Sequence, residues 1–233
     1  MTLAVKVLTY NIHHGADAAG RRSINSIGET IGNSGAHLAG LQEVDCLMPR
    51  TFFSHQARRL AQKLDMKYAF GANMKWLAMF RYGNALLSRF PIVARANIPL
   101  PGKTEKRGLL KALIRPRENT EFYFLCVHLG LSRAERREQI KSIMEIANTL
   151  DRPYILAGDF NTEPGSGELS ALGECMQATM LKAPGRYATF PSYRPGHGLD
   201  YIFTSRHWRV ISCRIIPSGA SDHLPVMSEM LLG

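Results

Sequence analysis

The sequence predicts an α/β (α+β) fold in which two packed β-sheets lie between outer helices. Three observations lead there. Nine short apolar runs bounded by Gly, Pro, Asn or Asp read as strands. Three segments with a helical period of apolar residues read as amphipathic helices. Nine strands exceed what one comfortable open sheet holds, and stacking two sheets with helices outside is the economical way to bury them.

The strand runs cover residues 5–12, 37–42, 84–88, 108–114, 121–128, 154–157, 199–203, 208–216 and 224–231, all rich in Val, Ile, Leu, Phe and Tyr. The first helix runs from about Ser23, with Ile24, Ile27 and Ile31 on one stripe. The second starts at Ser54 and buries Ala57, Leu60, Ala61 and Leu64, with Arg58, Arg59, Gln62 and Lys63 outside. The third opens on a capping box of Ser132 and Glu135 and buries Ile140, Ile143, Met144 and Ala147. No repeat, low-complexity tract or linker divides the chain, so residues 1–233 are expected to form a single domain.

Composition is that of an ordinary globular protein, 45% hydrophobic and 21% charged. Cys46, Cys126, Cys175 and Cys213 form no CxxC pair, and Cys126 and Cys213 sit in apolar strand runs as buried thiols do. That usage suits a reducing compartment. The start MTLAVKVLTYNI has no basic lead or apolar core of a signal peptide, and no run approaches a membrane span. A cytoplasmic protein without stable membrane insertion is expected. Net charge is +10, which favours an anionic partner such as nucleic acid, phospholipid head groups or a phosphorylated metabolite. The basic residues are scattered along the sequence, which equally fits a solubilising surface.

The chemistry gathers at strand ends. TYN carries Asn11, LQEV Glu43, CVHLG His128, LAGDFN Asp159 and Asn161, GLDYIF Asp200, and SDHLPV Asp222 and His223. One such residue would be a turn or a satisfied core group; so many together are hard to explain as packing. Carboxylate and amide oxygens, with no cysteine or closely spaced histidine pair, suit Mg²⁺ or Mn²⁺ over zinc. Glu43 with Asp222 would suffice, the rest of an octahedron being water and substrate phosphate. Such an ion stabilises charge developing on phosphate oxygens.

With TYNIHHG, LQEV, YGNALLSRFPI, HLG, ERREQ, LAGDFN, TFPS, LDYIF and SDHLPV in this order, the chain resembles the endonuclease/exonuclease/phosphatase superfamily from about residue 5 to 231. The pattern is similar to its small bacterial metal-dependent hydrolase branch. The resemblance implies a DNase-like four-layer α/β/β/α sandwich of two mixed sheets. It also implies roles. Glu43 would be the principal metal carboxylate, with Asn11 beside it and Asp222 as a secondary metal or water ligand. Asp159 would orient or deprotonate the attacking water, and Asn161 would bind a phosphate oxygen. Asp200 and His223 would form an Asp–His pair, the histidine acting either as base or as phosphate ligand. His128 would donate to the phosphate or the leaving oxygen.

Asn84 is expected to close a turn or touch phosphate, and Arg107, which follows Glu105 in EKRG, to contact substrate. His13, with His14, follows Asn11 and is a candidate for lining the pocket. Arg136 and Gln139, neighbours at i, i+3, read as structural. Arg50 is either near the site or on the surface. Trp76, Phe80 and Tyr82 read as core packing or a loop cover. His37, His55, His197 and His207 lack a partner motif. The reaction class expected is hydrolysis of a phosphate ester, on a small or lipid-derived substrate. The alternatives are a DNA or RNA nuclease, or a silent binding protein on the same fold.

Overall fold

The computed structural model describes residues 2–77, 79–183, 185 and 187–233. In chain order the strands are β1 (Leu3–Asn11), β2 (Leu38–Met48), β3 (Ser54–His55), β4 (Lys67–Trp76), β5 (Phe80–Ser88), β6 (Ile92–Leu100) and β7 (Arg107–Arg117), followed by β8 (Thr120–His128), β9 (Tyr154–Asp159), β10 (Gln177–Ala178), β11 (Asp200–Thr204), β12 (Trp208–Ile215) and β13 (Val226–Leu232). The α-helices are α1 (Ile24–Ser34), α2 (Gln56–Leu64), α3 (Arg133–Asn148) and α4 (Gly167–Gly173). One sheet runs β12-β13-β1-β2-β5-β4, with β3 added to β2; the other runs β10-β11-β9-β8-β7-β6. Both are mixed. β1 and β2 are parallel, as are β8 and β9, and the remaining pairs are antiparallel.

Alternation along each strand builds the layers. On β1, Val5 and Val7 point between the sheets, while Leu8 and Tyr10 point outward under Ile27 and Ile31 of α1 and Leu60 of α2. On β8, Phe122, Phe124 and Cys126 point inward, while Leu125 and Val127 lie under Ile140 and Ile143 of α3. Central strands buried on both faces read as near-continuous apolar runs, so they were visible in sequence. The result is four layers, α/β/β/α. Replacing Phe124, with no exposed surface, by Ala would cost about 3–5 kcal/mol by opening a cavity between the sheets. Cys126 and Cys213 are buried free thiols, as expected.

Several elements differ from the sequence expectation. β4 and β6 were not foreseen. Each is an edge strand, and KYAFGANMKW and IVARANIPL break alternation with Gly, Asn or Pro. α4 and the two-residue β3 and β10 carry too little periodicity to be found. The second helix begins at Gln56 and not Ser54, because the His55 ring caps it by accepting from Arg58 N. Only half of the α3 capping box forms. Ser132 Oγ accepts from Glu135 N, but the Glu135 carboxylate accepts from the backbone of Lys103 and Thr104 instead. No helix among the described residues is long and apolar enough to cross a membrane.

Candidate active site

Strand register assembles the site. His128 at the end of β8 lies beside Asp159 at the end of β9, and Asp159 lies beside Asp200 at the start of β11. β9 is parallel to β8 and antiparallel to β11, so the three side chains share one edge of the sheet. Opposite them, β1 ends on Asn11.

Glu43 reaches the same place by a β-bulge. Leu41 opposes Ala85 and Val44 opposes Gly83, so Gln42 and Glu43 together face Asn84. Glu43 sits there at φ 59°, a backbone conformation rare for a glutamate. The extra residue re-aims its side chain. Gln42 stays inside, bonded to Thr9 and Cys126, while Glu43 turns to Asn11. The Asn11 amide then joins the sheets, donating to Glu43 Oε1 at 3.1 Å and to Asp159 Oδ2 at 3.0 Å. Its carbonyl oxygen accepts from His13 N at 3.0 Å. Asn11, expected among the metal ligands, thus aligns two carboxylates through its Nδ2 while its Oδ1 holds His13 N.

The loop before β13 closes the site. Ser221 Oγ donates to the backbone carbonyl of Asn11, anchoring Asp222 and His223. His223 Nδ1 lies 2.9 Å from Asp200 Oδ2, and Nε2 lies 3.8 Å from Asp159 Oδ2. Burial alone would push the imidazole towards neutrality. The carboxylates of Asp200 and Asp159 outweigh it and lift the pKa to about 10. His128 is the converse. Burial, helped by Arg107 and against the pull of Asp159, drives it down to about 4. Its Nε2 lies 3.0 Å from the Asn161 amide nitrogen, which can only donate, so Nε2 accepts and the proton rests on Nδ1. Asn161 Nδ2 also donates to Leu129 O. The amide expected on a phosphate oxygen is thus held by protein groups, and donation from His128 Nε2 would require Asn161 to release it.

A turn of three successive left-handed residues, His13, His14 and Gly15, hangs both imidazoles over the site. Gly15 is required there, since a Cβ would meet Gln56 Nε2 at 2.4 Å. His13 faces Asp222 and His14 faces Glu43, each at 3.9 Å. Burial resists ionisation of Glu43, but His14, His128, Asn11 and His13 outweigh it and hold the carboxyl well below its usual range.

Arg107 is 5% exposed and paired to Glu105 at 3.0 Å, close enough to influence His128. Asn84 departs from its expected surroundings: it is buried, and its amide donates across the sheets to the carbonyls of Gly108 and Cys126. Arg50 grips buried Asp45 with two bonds of 2.7 Å beneath Tyr82. Arg136 and Gln139 are structural but do not meet each other. Arg136 binds Leu131 O and Glu168, and Gln139 binds Pro101 O and Gly130 N. Asp45 and the supporting Gln56, which holds Asp45 N and His14 O, escaped the sequence reading. The one available signal was Asp45 in QEVD, two residues beyond Glu43.

The donor set fits a hard cation. Among the described residues, Glu43 and Asp159 meet imidazoles and amides, not a lysine or arginine. The ligand atoms of Asp159, Asp200 and His223 also lie within 4.8 Å of one another. The two carboxylates beside His223 favour its protonated form, which makes it the poorest donor of that set. The Asn11 amide brings the carboxylates of Glu43 and Asp159 together, and Asp222 faces His13.

Known proteins resemble this chain in sequence and in fold. The profile of the Endonuclease/Exonuclease/phosphatase family matches residues 8–223. "Uncharacterized protein YbhP" of Escherichia coli strain K12 is 31% identical, over 97% of this chain and 96% of that one. An endonuclease/exonuclease/phosphatase family protein from Bacteroides thetaiotaomicron superposes with a TM-score of 0.85 at 19% identity, covering 100% of this chain and 99% of that one. A mannosyl-6-phosphatase from Bacteroides thetaiotaomicron VPI-5482 gives 0.81 at 18%, covering 97% and 99%. At these identities the two structures speak for the fold.

Proposed function

The chain belongs to the endonuclease/exonuclease/phosphatase family, whose members hydrolyse phosphate esters, and from that premise we propose that it is a Mg²⁺- or Mn²⁺-dependent phosphoesterase acting on a small or lipid-derived phosphate ester. The observation that carries the reading is the Asn11 amide holding Glu43 and Asp159 together across two sheets, beside the His223–Asp200 pair. We treat residues 1–233 as one domain and the protein as cytoplasmic.

Glu43, with Asp222, would hold the cation; when bound it would neutralise charge developing on phosphate oxygens. Asp159 would orient the attacking water and take its proton. Protonated His223, fixed by Asp200, would donate to a non-bridging phosphate oxygen, which makes it a phosphate ligand and not the base. Asn161 and His128 would hold Asp159 in its rotamer, and His13 and Arg107 would flank the ester. Asp159 and His223 are set in advance by buried hydrogen bonds to Asn11 and Asp200, the condition under which electrostatic stabilisation of a transition state is largest.

The net charge of +10 supports nucleic acid as the second substrate reading. One assay separates the two. Metal-dependent hydrolysis would be followed on an aryl phosphodiester, an aryl phosphomonoester, plasmid DNA, single-stranded RNA and sphingomyelin, with EDTA and Asp159→Asn as controls. Turnover confined to small or lipid esters supports the proposal. Cleavage of DNA or RNA that Asp159→Asn lacks, weakening steeply with salt, would replace it with the nuclease reading. Silence across the panel would remove it.

A further inference from the structure

The charge of this protein is not scattered once the chain is divided by position. Residues 46–104 carry ten Lys and Arg against Asp65 alone, a net +9 of the whole +10. This stretch forms α2, β4, β5 and β6. β4 is the edge of one sheet and β6 the edge of the other, and Asn97 of β6 donates to Ala72 O of β4. One flank of the sandwich is therefore basic. Among the described residues, Arg58, Lys67, Lys75 and Arg95 there are exposed and make no ion pair.

The same stretch ends in an apolar rim. Phe52 is 66% exposed, Phe53 58%, Trp76 43%, Leu77 83% and Met79 54%. Trp76, expected in the core or as a loop cover, stands partly exposed at the end of β4, paired with Phe80. These side chains come from two loop tips that touch through the Phe53 and Phe80 rings, 6.1 Å apart. Phe52, Phe53 and Leu77 adopt left-handed φ of 54°, 56° and 47°. Turns ordinarily give that conformation to Gly or Asn. Here large apolar residues occupy it and stay exposed, the Phe52 ring lying against the Arg22 guanidinium.

The rim lies beyond the active site along the strands that carry Glu43. Val44 pairs with Gly83 and Cys46 with Arg81, so the β4–β5 hairpin continues past the Glu43 bulge. At a strand rise of about 3.3 Å per residue its tip stands ~13 Å beyond Glu43.

We propose that this rim and flank dock the protein on an anionic phospholipid surface, with Phe52, Phe53, Trp76, Leu77 and Met79 entering the head-group boundary and Arg58, Lys67, Lys75 and Arg95 meeting lipid phosphates. Aromatic and aliphatic tips beside a basic flank are the composition of interfacial anchors, and attraction to anionic lipid adds with each cation. Nucleic acid fits less well: Leu77, the most exposed of the set, and Met79 offer a base no stacking face. The docking presents a lipid-borne phosphate ester to Glu43. That part rests on the phosphoesterase reading, while the docking itself does not.

The test is co-sedimentation of the full chain with vesicles of phosphatidylcholine alone or with phosphatidylglycerol added. Two variants are compared: Phe52→Ser/Phe53→Ser/Leu77→Ser and Arg58→Glu/Lys75→Glu. Wild type is expected to sediment with the anionic vesicles and not with neutral ones, and each variant to lose more than tenfold in binding. Both variants should keep the parent's unfolding temperature and its hydrolysis of a soluble aryl phosphodiester. Failure of wild type to bind anionic vesicles would overturn the proposal, as would unchanged binding by the variants. So would a rim whose substitution abolishes binding of a single-stranded oligonucleotide, or dissociates a dimer, while vesicle binding is absent. Because vesicle binding is read without turnover, failure of the hydrolase reading would leave this result standing, and the reverse.

Discussion

His223 Nδ1 lies 2.9 Å from Asp200 Oδ2, both residues buried, with Asp159 on the far side of the ring. The imidazole is thus fixed between two carboxylates, an arrangement that favours its protonated form.

The pH dependence follows from that placement. His223 is raised from 6.5 to about 10, so its contribution to stability is complete below pH 6.5 and is lost as pH rises from 6.5 to about 10. Turnover should fall over the upper part of the same window. Asp200→Asn removes the largest of the raising influences, so the alkaline limb of the pH–rate profile should move to lower pH. An unmoved limb would detach His223 from the alkaline limb.

His128 gives the opposite slope. Its pKa is depressed from 6.5 to about 4, so the folded state resists protonation and stability is lost as pH falls through that interval. Urea unfolding at a series of pH values should show this loss in the wild type and a flatter acid limb in His128→Asn. Equal slopes in the two proteins would contradict the buried, neutral histidine.

Asn84 distinguishes a structural residue from a substrate contact. Asn84→Ala leaves the Gly108 and Cys126 carbonyls without their buried donor and should cost about 1–3 kcal/mol of stability. The KM for a soluble ester should stay at the parent value. A raised KM with unchanged stability would restore the phosphate-contact role.

Much of this was legible in the sequence, for a physical reason. Central strands such as β1, β8 and β9 are apolar on both faces, and each ends on a polar residue that packing does not call for: Asn11, His128 and Asp159. The edge strands β4 and β6 were not legible, because one side lacks neighbours and Gly, Asn and Pro are tolerated there. Nor was the Glu43 bulge, which depends on register with β5. Partner choice was the other hidden layer. Asn161 sits on His128, Arg50 on Asp45 and Asn84 on two carbonyls, and no spacing within one segment announces a partner in another.

The central claim is a cation held by Glu43 and used in phosphoester hydrolysis. The most direct measurement is hydrolysis of an aryl phosphodiester across a Mg²⁺ titration, by wild type and by Glu43→Gln. Wild-type turnover should depend on Mg²⁺ and vanish in EDTA. Glu43→Gln, folded as judged by thermal unfolding, should lose roughly a hundred- to a thousand-fold in kcat, the scale of removing one transition-state electrostatic contact. Turnover that persists in EDTA, or a Glu43→Gln protein with the parent's Mg²⁺ response and rate, would contradict the account.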